Sequence, residues 1–110
     1  MALTALCSPN LLGGLGMPRY LIERNFGRID DEKMHGYGER SADIVKNQMT
    51  GVVWVHSHVA VGEDGTIRTF CVYIAPDLDI VYEHADKLGG HTIENVWEIG
   101  GDVSPGDYDV

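Results

Sequence analysis

The chain has 110 residues, enough for one domain with one modest core. Apolar residues make up 44% and charged residues 23%, the balance of a soluble globular protein. The formal net charge of −9 offers nothing to a phosphate backbone, which argues against a nucleic-acid partner, and it attracts cations only as a general bias.

Residues 1–17 are mildly apolar and carry no basic group before Arg19. The run is too short and too glycine-rich for a secretory signal or a membrane span. It is expected to be a flexible extension, with Met17 suited to be the natural start. Two cysteines, Cys7 and Cys71, are too few for a secreted disulfide scaffold, so a reducing cytoplasm is expected.

A single domain is expected over residues 18–100. Residues 19–26 alternate, with Tyr20, Ile22, Arg24 and Phe26 on one face and Leu21, Glu23 and Asn25 on the other. This is the first strand. A helix is expected over residues 30–49, capped by its leading aspartates and firm from Ser41, because Gly36 and Gly38 weaken its first half. Gly51 ends it. The second strand runs from Val52 to Val61 and the third from Ile67 to Ile74, joined at Asp64-Gly65. Asp77 caps a second helix, Leu78 to Leu88, with an apolar stripe of Leu78, Val81, Ala85 and Leu88. A fourth strand is expected near Asn95 to Ile99, then a mobile acidic tail over residues 101–110. The order β-α-β-β-α-β predicts an α+β, ferredoxin-like antiparallel sheet with both helices on one face.

A two-residue turn at Asp64-Gly65 sets a definite register. It places His58 opposite Cys71 and His56 opposite Tyr73. The valines of the second strand, with Phe70, then face the helices. Trp54, His56, His58, Cys71 and Tyr73 share the helix-free face, which Glu23 joins from the first strand. An exposed aromatic face of that size predicts a homodimer with sheets packed face to face.

Two imidazoles and a thiol on one face suit a divalent transition metal, so His56, His58 and Cys71 are the candidate ligands. The same residues also read as interface packing, with Cys71 as a small buried hydrophobe. His84, on the second helix, is expected on the opposite side, as a buried hydrogen-bonding partner of Ser57. His35 and His91 are expected in solvent. No Ser-His-Asp order, HExxH, CxxC or phosphate loop is present.

Four blocks carry a family resemblance: Met17-Pro18-Arg19-Tyr20-Leu21-Ile22-Glu23-Arg24; Trp54-Val55-His56-Ser57; Thr69-Phe70-Cys71-Val72-Tyr73-x-Ala75-Pro76; and Glu83-His84-Ala85. In this order the chain resembles the small bacterial nickel-binding or nickel-responsive proteins, from Met17 to Ile99. The resemblance implies a ferredoxin-like subunit, a dimeric α/β barrel and nickel as the metal. It places His56, Cys71, His84, Glu23 and Tyr73 at family-pattern positions, and so adds His84 and Glu23 to the candidate ligands. His58 departs from the pattern, which has Tyr there. The leading expectation is a cytoplasmic homodimer that binds nickel or a similar divalent metal for sequestration or sensing. The alternatives are a small monooxygenase-like α/β-barrel enzyme, with Tyr73, His56 and His84 as acid–base groups, and a pure interaction module.

Overall fold

The structure, a computed structural model, describes residues 17–109. The extension expected at residues 1–17, apart from Met17, and Cys7 with it, lie outside the described residues. Strand β1 (Arg19–Gly27) follows the alternation of its sequence. Tyr20, Ile22, Arg24 and Phe26 are buried on one face. It is a central strand of a four-stranded antiparallel sheet of order β2-β3-β1-β4, with β2 at Val53–Val61, β3 at Ile67–Ile74 and β4 at Thr92–Glu98. Helices α1 (Asp31–Asp43) and α2 (Leu78–Leu88) cover the face that β1 buries, completing the ferredoxin-like arrangement.

Helix α1 begins a full ten residues before the firm part expected from Ser41. The Asp30 carboxylate accepts the Lys33 N–H at 2.8 Å, and Asp31 and Glu32 occupy the first turn. Met34 and Tyr37 pack on the core and offset the weak propensity of Gly36 and Gly38, where an added side chain would meet only open space. After Asp43 the helix widens into a π-helical turn, Ile44–Gln48. The Asp43 carboxylate accepts from both Asn47 and Gln48, four and five residues on. Helix α2 is capped by Asp77, which accepts the Ile80 N–H, and it buries Val81, His84 and Leu88. Leu78, expected in the apolar stripe, is exposed, and His84 belongs to the stripe instead.

The hairpin register differs from the two-residue expectation. Gly65 N–H donates to Gly62 C=O and Gly62 N–H to Thr66 C=O, and Gly65 takes φ +84°. This is a three-residue loop ending in a left-handed glycine, which shifts the pairing by one residue. His58 lies opposite Phe70, Ser57 opposite Cys71 and His56 opposite Val72. Val55 is then extra, and past this bulge Trp54 pairs with Tyr73.

The faces of the hairpin are corrected accordingly. Ile67, Thr69, Cys71 and Tyr73 are buried toward the helices, on the side of Tyr20, Ile22 and Arg24. Phe70, Val72 and Ile74 lie on the open face with Leu21 and Glu23. Val59 and Val61 lie on the helix side as expected, opposite Thr69 and Ile67, but β2 is an edge strand and they are 52% and 71% exposed; Val53 and Val55 are also exposed. The third strand alternates between two sets that each contain large apolar residues, so its pattern alone did not choose a face. Its β1 partners did, because Tyr20, Ile22 and Arg24 sit opposite Tyr73, Cys71 and Thr69.

Strand β4 starts three residues earlier than expected. A bulge at Glu94 turns both Ile93 and Val96 toward the core side. The acidic tail carries a 3-10 turn, Pro105–Tyr108, capped by Ser104 and Asp107, and Asp102 pairs with Arg19 at 2.9 Å. Among the described residues no helix is long and apolar enough to cross a membrane.

Candidate functional site

The open face and the helix-covered face each carry a polar group of interest. On the open face, β2 presents His56 and His58, two residues apart and therefore on one side of the strand. Their ring centres are 5.2 Å apart. With metal–nitrogen bonds of about 2 Å, two imidazoles on one ion place their ring centres about 5 Å apart. The pair thus has the separation of a two-imidazole half-site. Glu23 shares the face but lies two strands away, about 10 Å across the sheet. Its carboxylate accepts from Asn95 at 2.9 Å and pairs with Arg68 at 3.5 Å.

Cys71 and His84 are on the other side. Cys71 is a buried free thiol whose Sγ lies 3.2 Å from Thr69 Oγ1. The five candidate ligands therefore do not gather in one place. Among the described residues no cluster of three or more His, Cys, Asp or Glu side chains is arranged to hold a metal.

The helix-covered face is organised by Arg24, which is 1% exposed. Its Nη1 lies 2.8 Å from His91 Nε2 and its Nη2 3.3 Å from His84 Nδ1. A guanidinium only donates, so both ring nitrogens accept and both imidazoles are neutral. Their other nitrogens then donate, His91 Nδ1 to Gly89 C=O at 3.0 Å and His84 Nε2 to Ser41 Oγ at 3.1 Å. Ser41 Oγ is 2.9 Å from the Tyr73 hydroxyl, completing a chain from β1 through α2 and α1 to β3. The Tyr73 ring also lies under the guanidinium, 5.4 Å from its carbon.

Burial, then the Arg24 charge, lowers the His84 pKa to about 4. Burial lowers that of His91 as well, with Arg24 again contributing. Burial raises the Tyr73 phenol to about 12. These groups hold fixed protonation states near neutrality, which suits a structural or binding role better than proton transfer.

Two histidine expectations are corrected here. The partners of His84 are Ser41 and Arg24, while Ser57 accepts the Trp54 indole N–H at 2.9 Å. His91 is half-buried and stacked on Phe26 at 4.9 Å, where its sequence context suggested solvent. His35 is exposed, as expected, 3.7 Å from Glu39. Arg24 is the central residue of this group, though the motif spacing does not point to it. Its signal was plain in the alternation, a charge between Ile22 and Phe26 on the core face of a strand.

The fold and its two polar groups define a small ferredoxin-like α+β domain with an imidazole pair on its open sheet face. Residues 20–99 match the nickel-responsive SCO4226-like family, and the chain belongs to that family. The match covers both faces of the sheet and both helices. No curated protein and no solved structure matched the chain.

Proposed function

We propose that this protein binds nickel through His56 and His58, as a cytoplasmic homodimer that completes the site across its open sheet faces, for nickel sequestration or sensing. The observation that carries this reading is the 5.2 Å imidazole pair on a face where no third ligand lies close by among the described residues. Imidazole donors suit nickel, and a divalent ion needs more than two of them. A second copy, related by a two-fold axis, supplies a second pair from the same patch. The family's nickel-responsive character supports the choice of metal. Glu23 is placed to contribute only by exchanging Asn95 or Arg68 for the metal. Cys71 and His84 are left to the interior.

The enzyme alternative needs room for an organic substrate beside Tyr73. The cavity lined by Tyr73 is about 30 Å³, an order of magnitude below the roughly 300 Å³ of a small-molecule pocket. That difference favours the metal.

Calorimetric titration of nickel tests the assignment. Wild type is expected to bind, His56→Ala/His58→Ala to lose more than about 100-fold in affinity, and Cys71→Ala to retain it. Equal binding by wild type and the double histidine variant would sink the proposal.

A further inference from the structure

Helix α2 ends in two left-handed glycines, Gly89 at φ +63° and Gly90 at φ +73°, and His91 follows before β4 begins at Thr92. Helix α1 reaches this segment twice. Arg40 donates to the Leu88 C=O, and the Tyr37 hydroxyl donates to the Gly90 C=O at 3.2 Å. A Cβ at Gly90 would collide with that hydroxyl, so the close approach requires glycine. His91 fastens the segment to β1, with its ring stacked on Phe26 at 4.9 Å and its Nε2 2.8 Å from Arg24 Nη1.

This attachment works only while the ring is neutral. A proton on Nε2 would set N–H against N–H, and one cation against another, at hydrogen-bonding distance. The groups around the contact do not relieve this. Arg40 from α1 and His84 from α2 are basic, while Tyr37 from α1 and Tyr73 from β3 bring only hydroxyls. The Gly89 C=O, which accepts from Nδ1, favours the charged ring but is outweighed. The packing decides which partner yields. Arg24 is 1% exposed, shared with His84 and set over the Tyr73 ring. His91 is half-buried and follows a glycine pair, so water can replace it at Arg24 Nη1 while the glycines take new backbone angles.

We propose that Gly89-Gly90-His91 is an acid-released latch: protonating His91 detaches the segment from Arg24 and Phe26 and leaves the sheet and both helices folded. Burial, with Arg24 and Arg40, lowers the His91 pKa, so the latch is closed at neutral pH and opens as pH falls below the 6.5 of an ordinary imidazole. In the open form the ring titrates freely, so the open population rises by up to about tenfold for each pH unit below that value. The latch lies on the helix side of the sheet, away from His56 and His58, and does not depend on nickel.

Nuclear magnetic resonance of the full chain, followed from neutral pH downward, tests the latch. The ring signals of His91 and Phe26 are expected to change together, with one midpoint below 6.5 and loss of the Overhauser contacts between the two rings. The buried methyls of Ile22, Ile44 and Val81 are expected to stay in place over that range. His91→Gln keeps an acceptor for Arg24 and a donor for Gly89 without titrating, and its Phe26 signals are expected to be independent of pH. His84→Gln is expected to retain the transition, and its disappearance there would assign the switch to the wrong histidine. The proposal is overturned if His91 takes up its proton with the Phe26 contact intact, or if that contact is lost only when the core methyls also move.

Discussion

His84 shows how one buried side chain ties the fold to pH. Its pKa is about 4 in the folded chain against 6.5 for an unperturbed imidazole, because burial and Arg24 both oppose a second positive charge. Above pH 6.5 the ring is neutral in both states and contributes no pH dependence. As pH falls from 6.5 toward 4 the unfolded chain takes up the proton first, so stability falls with pH. Between pH 7 and pH 5 this amounts to about 2 kcal/mol from His84 alone. His91 acts in the same direction. Urea denaturation of wild type and His84→Gln at the two pH values measures it. The variant starts less stable but is expected to lose about 2 kcal/mol less over the interval. Parallel losses would contradict the assignment. The network was only partly legible in the residues: a charge on the core face of β1 announced a buried polar contact, but nothing local to Arg24 pointed to His84 and His91, which are sixty or more positions away.

At the scale of elements, the β2 bulge decides what each face displays. A regular strand alternates, so Trp54 and Ser57, three apart, would face opposite ways. The extra Val55 brings both to the core side, where the indole meets the Ser57 hydroxyl, and leaves His56 and His58 outside. Removing Val55 would join Trp54–Tyr73 directly to His56–Val72 in one continuous ladder, with no side chain changing face. Deletion of Val55 is therefore expected to leave a cooperatively folded protein with nickel affinity within about threefold of wild type, whereas deletion of Val59 shifts everything on one side of it by a residue and abolishes cooperative folding. Circular dichroism and urea melts distinguish the two. Loss of the cooperative transition on deleting Val55 would show that the bulge itself is required.

Over the whole molecule, the two sheet faces are unequally covered. Both helices lie on the side of Tyr20 and Tyr73, while Leu21, Phe70, Val72, Ile74 and Trp97 share the other, with Trp97 47% exposed and paired opposite Leu21. An apolar sheet face of this kind is what a two-fold partner would cover. Trp97→Asp places a charge at that face without touching the helix-side core. Sedimentation at micromolar concentration is expected to give a dimer for wild type and a monomer for the variant, with nickel affinity falling in parallel. A wild-type monomer in the presence of nickel would remove the dimeric site.

The order of elements, the face of β1, the cap and length of α2 and the pairing of β1 with β3 were determined by the sequence, because hydrophobic period and capping chemistry act over a few residues. Membership of the nickel-responsive family was carried by short blocks at fixed spacing, again a local property. What only the tertiary structure decided was which way β3 faces. Thr69-Phe70-Cys71-Val72-Tyr73 satisfies either choice, and a loop of three residues in place of two reverses it. That choice separated Cys71 from His56 and His58 and placed Tyr73 with His84. Each depends on contacts between residues far apart in the chain, where burial and pairing outweigh any local preference.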